Sequence, residues 1–305
     1  MSHTVAVTGA TGFIGRHITQ NLLAQGFTVR ALTRTAGRPP ATSLTWVHGD
    51  LDNRDALAEL LNGADYVVHC AGLVRGHKEE TFTHCNVTGS LRLMQLARQT
   101  SRCKRFLFLS SLAARHPELS WYANSKYVAE QRLIAMAAAH MSLGIFRPTA
   151  VYGPGDKELN PLFSWLLRGL LPRLGGAEAT LSFLHVSDLA QAVSQWLLAE
   201  KSQSDCYELC DGLAGGYTWQ RLQEIGARVR NGRVRLVTIP LPLLKRFADI
   251  SILANRLARK EPMLTHSKLR ELTHPNWSAS NERLSEDINW FPKISLEYAL
   301  REGLF

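Results

Sequence analysis

Residues 5–15 read VAVTGATGFIG, and this stretch decides the fold. A short β-branched run precedes three glycines spaced three apart, and a helical pattern from Phe13 to Gln25 follows them. Gly9 permits a tight turn, Gly12 lets backbone N–H groups approach a pyrophosphate, and Gly15 lets the helix pack close to the strand. Because a helix N-terminus also attracts anions, the stretch predicts a dinucleotide-binding turn.

Short apolar runs alternate with helical patterns through the first half of the chain. The predicted strands are 4–8, 27–33, 44–48, 65–69, 105–110 and 143–147. The predicted helices between them are 13–25, 54–62, 80–100 and 120–140. Strands that alternate with helices favour a parallel sheet covered on both faces, so we predict an α/β fold with a doubly wound sheet.

The alternation stops after Pro148, where segments rich in Pro, Gly and Leu follow. We predict that a strand at 180–185, a helix at 187–200 and a strand at 206–210 return to the first sheet. The rest of the chain reads as mostly helical, with one strand near 234–238. The predicted division is therefore a dinucleotide-binding domain over 1–155, which 180–211 rejoins, and a smaller substrate domain over 156–179 and 212–305.

Composition excludes several classes of protein. The chain has 305 residues, of which 45% are hydrophobic and 20% charged, as in a folded protein with a large core. Its longest uncharged apolar stretch, 133–146, is shorter than a membrane span, and the N-terminus lacks a secretory pattern. The five cysteines form no metal-ligand spacing, so we expect no metal site and a reducing, cytoplasmic location.

The formal charge of +9 is concentrated in one segment. Nine basic residues and one acid lie between Arg228 and Lys260. Within it we predict an amphipathic helix over 241–259, whose apolar face is formed by Leu243, Phe247, Ile250, Leu253 and Leu257. This helix either packs on the core or forms a movable lid that admits a lipid-like substrate and touches an anionic membrane. Nucleic-acid binding is not expected, because no recognition motif accompanies the charge.

Two residues at predicted strand ends bear on the cofactor. The second strand ends at Arg34 without an acidic residue, and an arginine there can pair with the 2′-phosphate of NADP. We therefore expect NADP, with NAD as the alternative and a surface role as the other interpretation of Arg34. Asp50, which follows the third strand, can face the adenine amino group or cap the next helix.

A candidate catalytic group lies between the fifth and sixth strands. Tyr122 and Lys126 are four residues apart near the start of a helix, so the phenol and the ammonium share one face. We expect the ammonium to depress the pKa of the phenol, which then exchanges a proton near neutrality. Ser111, at the end of the fifth strand, can hydrogen-bond a substrate oxygen beside Tyr122 or cap a turn.

These motifs together resemble the extended short-chain dehydrogenase/reductase superfamily. The resemblance is to its NAD-dependent epimerase/dehydratase group, with the 3β-hydroxysteroid dehydrogenase and dihydroflavonol reductase branches. It is carried by 8–15, Ser110–Ser111, Tyr122–Lys126 and the stretch RPTAVYGPG over 147–155. It runs from about residue 4 to 200 and continues more weakly through NWFP at 289–292.

The resemblance implies a Rossmann domain, a smaller C-terminal substrate domain and a homodimer formed through two helices of the first domain. It implies that Tyr122 is the acid/base, that Lys126 binds the nicotinamide ribose and that Ser111 orients the substrate. Asn86 resembles a residue that supports the active-site loop. The cofactor-binding residues expected on these grounds are Gly9, Thr11, Gly12, Phe13, Ile14, Gly15, Arg34, Asp50, Leu51, Ala71, Gly72, Tyr122, Lys126, Pro148 and Val151.

The sequence departs from the nucleotide-sugar enzymes of that group in one respect. Only ten residues separate Ser111 from Tyr122, and no Val-Tyr-Gly follows the serines. We therefore expect an NAD(P)-dependent enzyme that transfers hydride at a carbinol or carbonyl carbon of a small, apolar or lipid-like substrate. The alternatives are a non-catalytic NAD(P)-binding sensor or assembly factor, and a nucleotide-sugar epimerase or dehydratase.

Overall fold

The computed structural model describes residues 3–39, 41–200, 204–246, 249 and 265–305. Seven parallel strands form its central sheet: β1 (Thr4–Thr8), β2 (Thr28–Thr33), β3 (Leu44–His48), β4 (Tyr66–His69), β5 (Arg105–Leu109), β6 (Ser142–Pro148) and β11 (Asp205–Leu209). Their order is β3-β2-β1-β4-β5-β6-β11. The order reverses between β1 and β4, and ligands bind at such a switch point, beyond the carboxyl ends of the strands. The predicted doubly wound α/β sheet is confirmed.

Helices cover both faces of this sheet. They are α1 (Phe13–Ala24), α2 (Arg54–Leu61), α3 (Glu79–Phe82), α4 (Gly89–Ala97), α5 (Trp121–Met136) and α7 (Val186–Leu198). On one face α1 and α7 bury Ile18, Leu22 and Trp196 against the strands. On the other face α2, α4 and α5 supply apolar side chains, with Leu57 and Leu133 fully buried. Each helix therefore turns its apolar stripe toward the sheet.

The predicted helix over 80–100 is not one regular helix. A π-helical segment, Thr83–Thr88, lies between α3 and α4 and carries the buried Asn86. At its end, a Cβ on Gly89 would come within 2.7 Å of the Leu51 side chain, so the close approach requires glycine. π-helical turns are often found at functional sites, because they redirect one side chain.

The second half of the chain forms three small ladders beside the main sheet. β7 (Ala150–Tyr152) pairs with β10 (Phe183–His185), β8 (Leu170–Arg173) with β13 (Arg235–Thr238), and β9 (Thr180–Leu181) with β12 (Tyr217–Thr218). The helices of this part are α6 (Asn160–Leu167), α8 (Trp219–Val229), α9 (His266–Leu272), α10 (Glu282–Ile288) and α11 (Leu296–Glu302). Their core is aromatic, with the rings of Tyr152, Phe163 and Phe183 packed edge to face.

The prediction that 180–185 joins the main sheet is wrong. These residues form β9 and β10, which pair in the small ladders. The edge of the sheet beside β6 is instead taken by β11, as expected for that strand. The proposed domain boundaries stay a prediction.

The amphipathic helix predicted over 241–259 is described only in its first part. Residues 241–246 are helical, whereas Phe247, Ile250, Leu253 and Leu257 lie outside the described residues. Leu244 is buried and Leu243 is 44% exposed, so Leu243 does not face the core as that apolar face required. Within the described ranges, no helix combines the length and the hydropathy needed to cross a membrane.

Candidate active site

The glycine turn has the shape that the sequence predicts. Gly9 has a φ of +72°, and a Cβ there would lie 2.6 Å from the Ala71 nitrogen. A Cβ on Gly15 would lie 2.1 Å from the Gly9 carbonyl oxygen, so α1 packs against the turn only without a side chain. Gly12 is the N-cap of α1 and offers no side-chain cap, which leaves the first N–H groups of the helix available to an anion. These residues fit a dinucleotide pyrophosphate.

The neighbouring cofactor candidates lie along the same edge of the sheet. Arg34, after β2, is exposed and makes no hydrogen bond or ion pair with another described residue. Asp50 accepts hydrogen bonds from the backbone of Asp52 at 2.9 Å and Asn53 at 3.0 Å through one carboxylate oxygen. Asn53, and not Asp50, is the N-cap of α2. The second oxygen of Asp50 makes no hydrogen bond within the described ranges, so the adenine interpretation stays open.

Buried hydrogen bonds fix the loop after β4, which carries Ala71 and Gly72. Thr8 Oγ1 accepts from the Ala71 nitrogen at 3.2 Å and contacts His69 Nδ1 at 2.6 Å. On the far side of the ring, His69 Nε2 lies 2.7 Å from Ser90 Oγ. Burial lowers the pKa of His69 to about 3, so the ring is neutral. No local sequence pattern indicates this link between His69 and the cradle.

Asn86 holds the next residues of the same loop. Its Oδ1 accepts from the Leu73 nitrogen at 2.7 Å, and its Nδ2 donates to the Leu73 oxygen at 2.9 Å. Nδ2 also donates to Ser125 Oγ at 2.9 Å, which joins the loop to α5. The π-helical segment positions the Asn86 side chain, which in turn holds the loop and α5 together.

The structure brings the three catalytic candidates together. α5 begins after Ser120, and Tyr122 lies half-buried in its first turn. Ser111, which follows β5, accepts from the Ala113 nitrogen at 3.2 Å and lies near enough to the Tyr122 phenol to favour its anionic form. Lys126 follows one turn later on α5 and is buried. The set can orient a carbonyl or hydroxyl oxygen and move a proton to or from it.

The expected depression of the Tyr122 pKa is wrong. The pKa of Tyr122 is raised to about 12, mainly by burial, although the nearby Ser111 hydroxyl lowers it. The carboxylate of Glu271, from α9, adds to the increase because it repels the phenolate. The phenol is therefore protonated at neutral pH.

The ammonium of Lys126 is hydrogen-bonded to another group, which explains why it does not lower the pKa of the Tyr122 phenol. Its Nζ donates to the Leu109 carbonyl oxygen at 2.8 Å and lies 4.8 Å from the Phe108 ring centroid. Burial lowers the pKa of Lys126 to about 8. A Cβ on Gly72 would lie 3.2 Å from this Nζ, so the loop passes close above the ammonium.

A buried ion pair anchors the strand ends beside this set. Glu130, one turn after Lys126, accepts from Arg147 Nε at 2.9 Å and from Arg147 Nη2. Ser110 Oγ also donates to Glu130. Glu130 was not predicted from the sequence, although it lies four residues after Lys126 and therefore on the same helix face.

The remaining candidates lie around β6 and β7. Pro148 ends β6 and is buried, whereas Val151 is partly buried in β7 against the main core. Among the cradle residues, Thr11 is exposed and Phe13 and Ile14 are partly exposed in the first turn of α1. In the described parts of the chain, no three His, Cys, Asp or Glu side chains are grouped as a metal site requires.

The fold and the glycine cradle define a dinucleotide-binding α/β protein of the Rossmann type. The chain belongs to the NAD dependent epimerase/dehydratase family, which it matches over residues 5–210. It is therefore an NAD(P)-dependent enzyme of the oxidoreductase and epimerase type. Membership in this family of enzymes argues against the alternative of a non-catalytic NAD(P)-binding sensor or assembly factor.

Three known proteins illustrate the relationship. The chain is 33% identical over 287 residues to the ceramide reductase of Caulobacter vibrioides, which covers 93% of this chain and 88% of the relative. It is 25% identical to a sterol-4-alpha-carboxylate 3-dehydrogenase of Dictyostelium discoideum, over 98% of this chain and 99% of the relative. The structure of a Bacillus cereus UDP-glucuronic acid 4-epimerase with UDP-glucuronic acid and NAD superposes with a TM-score of 0.72, at 19% identity, over 97% and 96% of the two chains. That last likeness concerns the fold alone.

Proposed function

We propose that this protein is a reductase that transfers hydride at a carbonyl carbon of a lipid-like small molecule, with Tyr122 as the proton donor. The observation that carries the proposal is the position of Ser111 beside Tyr122, whose phenol stays protonated at neutral pH. A neutral phenol is a proton donor, so this state favours reduction of a carbonyl over oxidation of an alcohol.

Each residue then has a separate task. Ser111 orients the substrate oxygen, Tyr122 gives it a proton, and the buried ammonium of Lys126 faces the cofactor ribose beneath the Gly72 loop. The nicotinamide dinucleotide, when bound, supplies the hydride chemistry. The glycine cradle and the N-terminus of α1 hold its pyrophosphate.

The substrate class rests on two observations. The segment between Ser111 and Tyr122 is short, which leaves little chain to enclose a nucleotide sugar. The ceramide reductase of C. vibrioides, a protein named for a lipid, aligns with nearly the whole chain. We infer long-chain carbonyl compounds related to ceramide.

Turnover tests this function. The purified protein should oxidise NADPH or NADH in the presence of a long-chain ceramide-type ketone, and should leave UDP-sugars unchanged. Tyr122→Phe should lose at least about 100-fold of the rate, since general acid catalysis contributes that much. Tyr127→Phe is the matched control, because Tyr127 is 37% exposed on the same helix. Epimerised UDP-sugar, or full turnover by Tyr122→Phe, would refute the proposal.

We infer a preference for NADP from Arg34, an exposed guanidinium after β2 that has no ion-pair partner among the described residues. NADP should raise the melting temperature more than NAD at equal concentration, because ligand binding stabilises by mass action. Arg34→Ala should remove this difference, and Arg98→Ala, an exposed arginine on another face, should keep it. Stabilisation by NAD alone would contradict this assignment.

We also propose a homodimer through α5. Two large apolar side chains seven residues apart on one helix face are exposed, Tyr127 by 37% and Ile134 by 52%. Light scattering should give a dimer for the wild type and a monomer for Ile134→Glu. Leu198→Glu, at a 51% exposed position on α7, should remain dimeric. A monomeric wild type would refute this interface.

Contact with an anionic membrane is a further part of the proposal. Leu241 and Leu243 are 45% and 44% exposed, and the adjacent Lys245 and Arg246 are also exposed. Apolar side chains beside cations fit a membrane surface. The protein should sediment with anionic and not neutral vesicles, and Leu243→Glu should weaken this while Leu198→Glu does not. A wild type that stays in the supernatant at low salt would refute the contact.

We propose the two-domain division because α6, β8, α8 and α11 contribute apolar side chains to a core separate from the two that flank the main sheet. Residues 156–179 and 212–305 would then form the substrate-binding part. A cytoplasmic location remains the expectation for a protein with five free cysteines.

A further inference from the structure

Two consecutive residues of α9 hold the turn that precedes α5. Arg270 Nε donates to the Leu119 carbonyl oxygen at 2.8 Å. Next to it, the Glu271 carboxylate accepts a hydrogen bond from Ser120 Oγ. The partners are 151 residues apart in sequence, so this contact joins the C-terminal part of the chain to the start of the catalytic helix.

Ser120 is the N-cap of α5 and has two roles at once. Its Oγ accepts from the Ala123 nitrogen at 2.9 Å while its proton is donated to Glu271. Ser120 and Glu271 are 6% and 8% exposed, so water competes little for these bonds. A hydrogen bond to a carboxylate is stronger than one between neutral groups, and a negative charge near a helix N-terminus is favourable.

Tyr122 lies two residues after Ser120, and the same Glu271 carboxylate acts on its phenol. The groups that act on its phenol are Ser111 and Glu271. Lys126, one turn further, has its ammonium on the Leu109 oxygen. The charge of Glu271 is partly balanced by Lys268, whose Nζ lies 3.1 Å from the second carboxylate oxygen.

The polar side chains of the preceding turn have other partners. Arg115 pairs with Glu208 at 3.2 Å, and Glu118, which is largely exposed, lies 3.6 Å from His116. The His274 ring, after α9, is tilted against that of His116, with centroids 4.1 Å apart. These groups do not contribute to the proton affinity of Tyr122, which leaves Glu271 as the carboxylate that does.

We propose that Glu271 is a positioning residue for catalysis, which fixes the start of α5 through Ser120 and places a negative charge beside the Tyr122 phenol. This rests on the proposed role of Tyr122 as the acid. The charge keeps the proton on the phenol, and the hydrogen bond from Ser120 fixes the first turn of α5, which carries Tyr122. The C-terminal part of the chain thereby contributes to proton transfer without touching the substrate.

The pH profile of the holoenzyme tests the charge. In the oxidative direction the phenol must lose its proton, so the rate rises with pH below the pKa of Tyr122. Glu271→Gln still accepts from Ser120 but is neutral, so the rising part of its profile should lie at lower pH than that of the wild type. Lys268→Met removes the balancing cation and should move the profile to higher pH. Glu118→Gln, the same charge change in the neighbouring turn, should superimpose on the wild type.

A structural role alone would lower the melting temperature and leave the profile in place. Superimposed profiles for wild type, Glu271→Gln and Lys268→Met would overturn the proposal. The hydrogen bond is measured separately, by thermal unfolding of Ser120→Ala, Glu271→Ala and the double variant, because alanine at position 271 cannot accept from Ser120. Additive losses of melting temperature would overturn the Ser120–Glu271 link, even where Tyr122→Phe has confirmed the reductase. Full turnover by Tyr122→Phe would instead refute the reductase and leave the hydrogen-bond link standing.

Discussion

Replacing Glu130 by glutamine should cost a large share of the stability of this protein. The Glu130 side chain is 1% exposed and accepts from Arg147 Nε at 2.9 and 3.2 Å, from Arg147 Nη2 and from Ser110. Removing one member of a buried ion pair costs about 3–5 kcal/mol, because the other charge is left uncompensated. Arg147 is 18% exposed and the amide still accepts one bond, so we expect the lower end, about 3 kcal/mol.

Equilibrium unfolding in urea, followed by tryptophan fluorescence, measures this loss. The matched control is Glu297→Gln, because Glu297 also accepts two bonds from one arginine, at 3.1 and 2.8 Å from Arg228, and a third from Arg301 at 3.2 Å, but at the surface. The control should lose less than about 1 kcal/mol. The double variant Glu130→Met/Arg147→Met should recover most of the loss, since it buries no unpaired charge. An equal, small loss for Glu130→Gln and Glu297→Gln would refute the reasoning.

Two further outcomes are expected. Gly15→Ala should abolish stabilisation by either cofactor in thermal unfolding, because its Cβ would lie 2.1 Å from the Gly9 oxygen; an unchanged shift would mean that the turn can move aside. The pKa of His69 is lowered from 6.5 to about 3, so between these values the unfolded chain binds the extra proton and the free energy of unfolding falls as the pH is lowered. His69→Gln should make urea unfolding less sensitive to acid, by about 2–3 kcal/mol between pH 7 and 4.5, and equal slopes would contradict a neutral buried ring.

The parts of the site that local chemistry dictates could be predicted from the sequence. The Gly9 turn, the start of α1 and the spacing of Tyr122 and Lys126 depend on neighbours within a few residues, so the pattern itself carries the geometry. The parallel sheet followed from the alternation of apolar runs for the same reason.

The parts that depend on distant partners could not be predicted. The pKa of Tyr122 is set by burial and by Glu271, which lies 149 positions further along the chain, and no local pattern shows either. Strand 180–185 has the composition of a sheet strand, but β11 occupies the edge that it would need. The π-helical turn that carries Asn86 also escapes a period of 3.6, because its residues read as ordinary helix.

The place of β11 in the sheet has a consequence for how the chain is made. Every other strand of the sheet is complete when residue 148 has left the ribosome, but β6 then exposes its unpaired edge until residues 205–209 arrive. Unpaired edges recruit other strands, so a chain that stalls in between is prone to aggregate. Fragments that end before β11 should accumulate in inclusion bodies, while those that retain Asp205–Leu209 can pair the edge of β6.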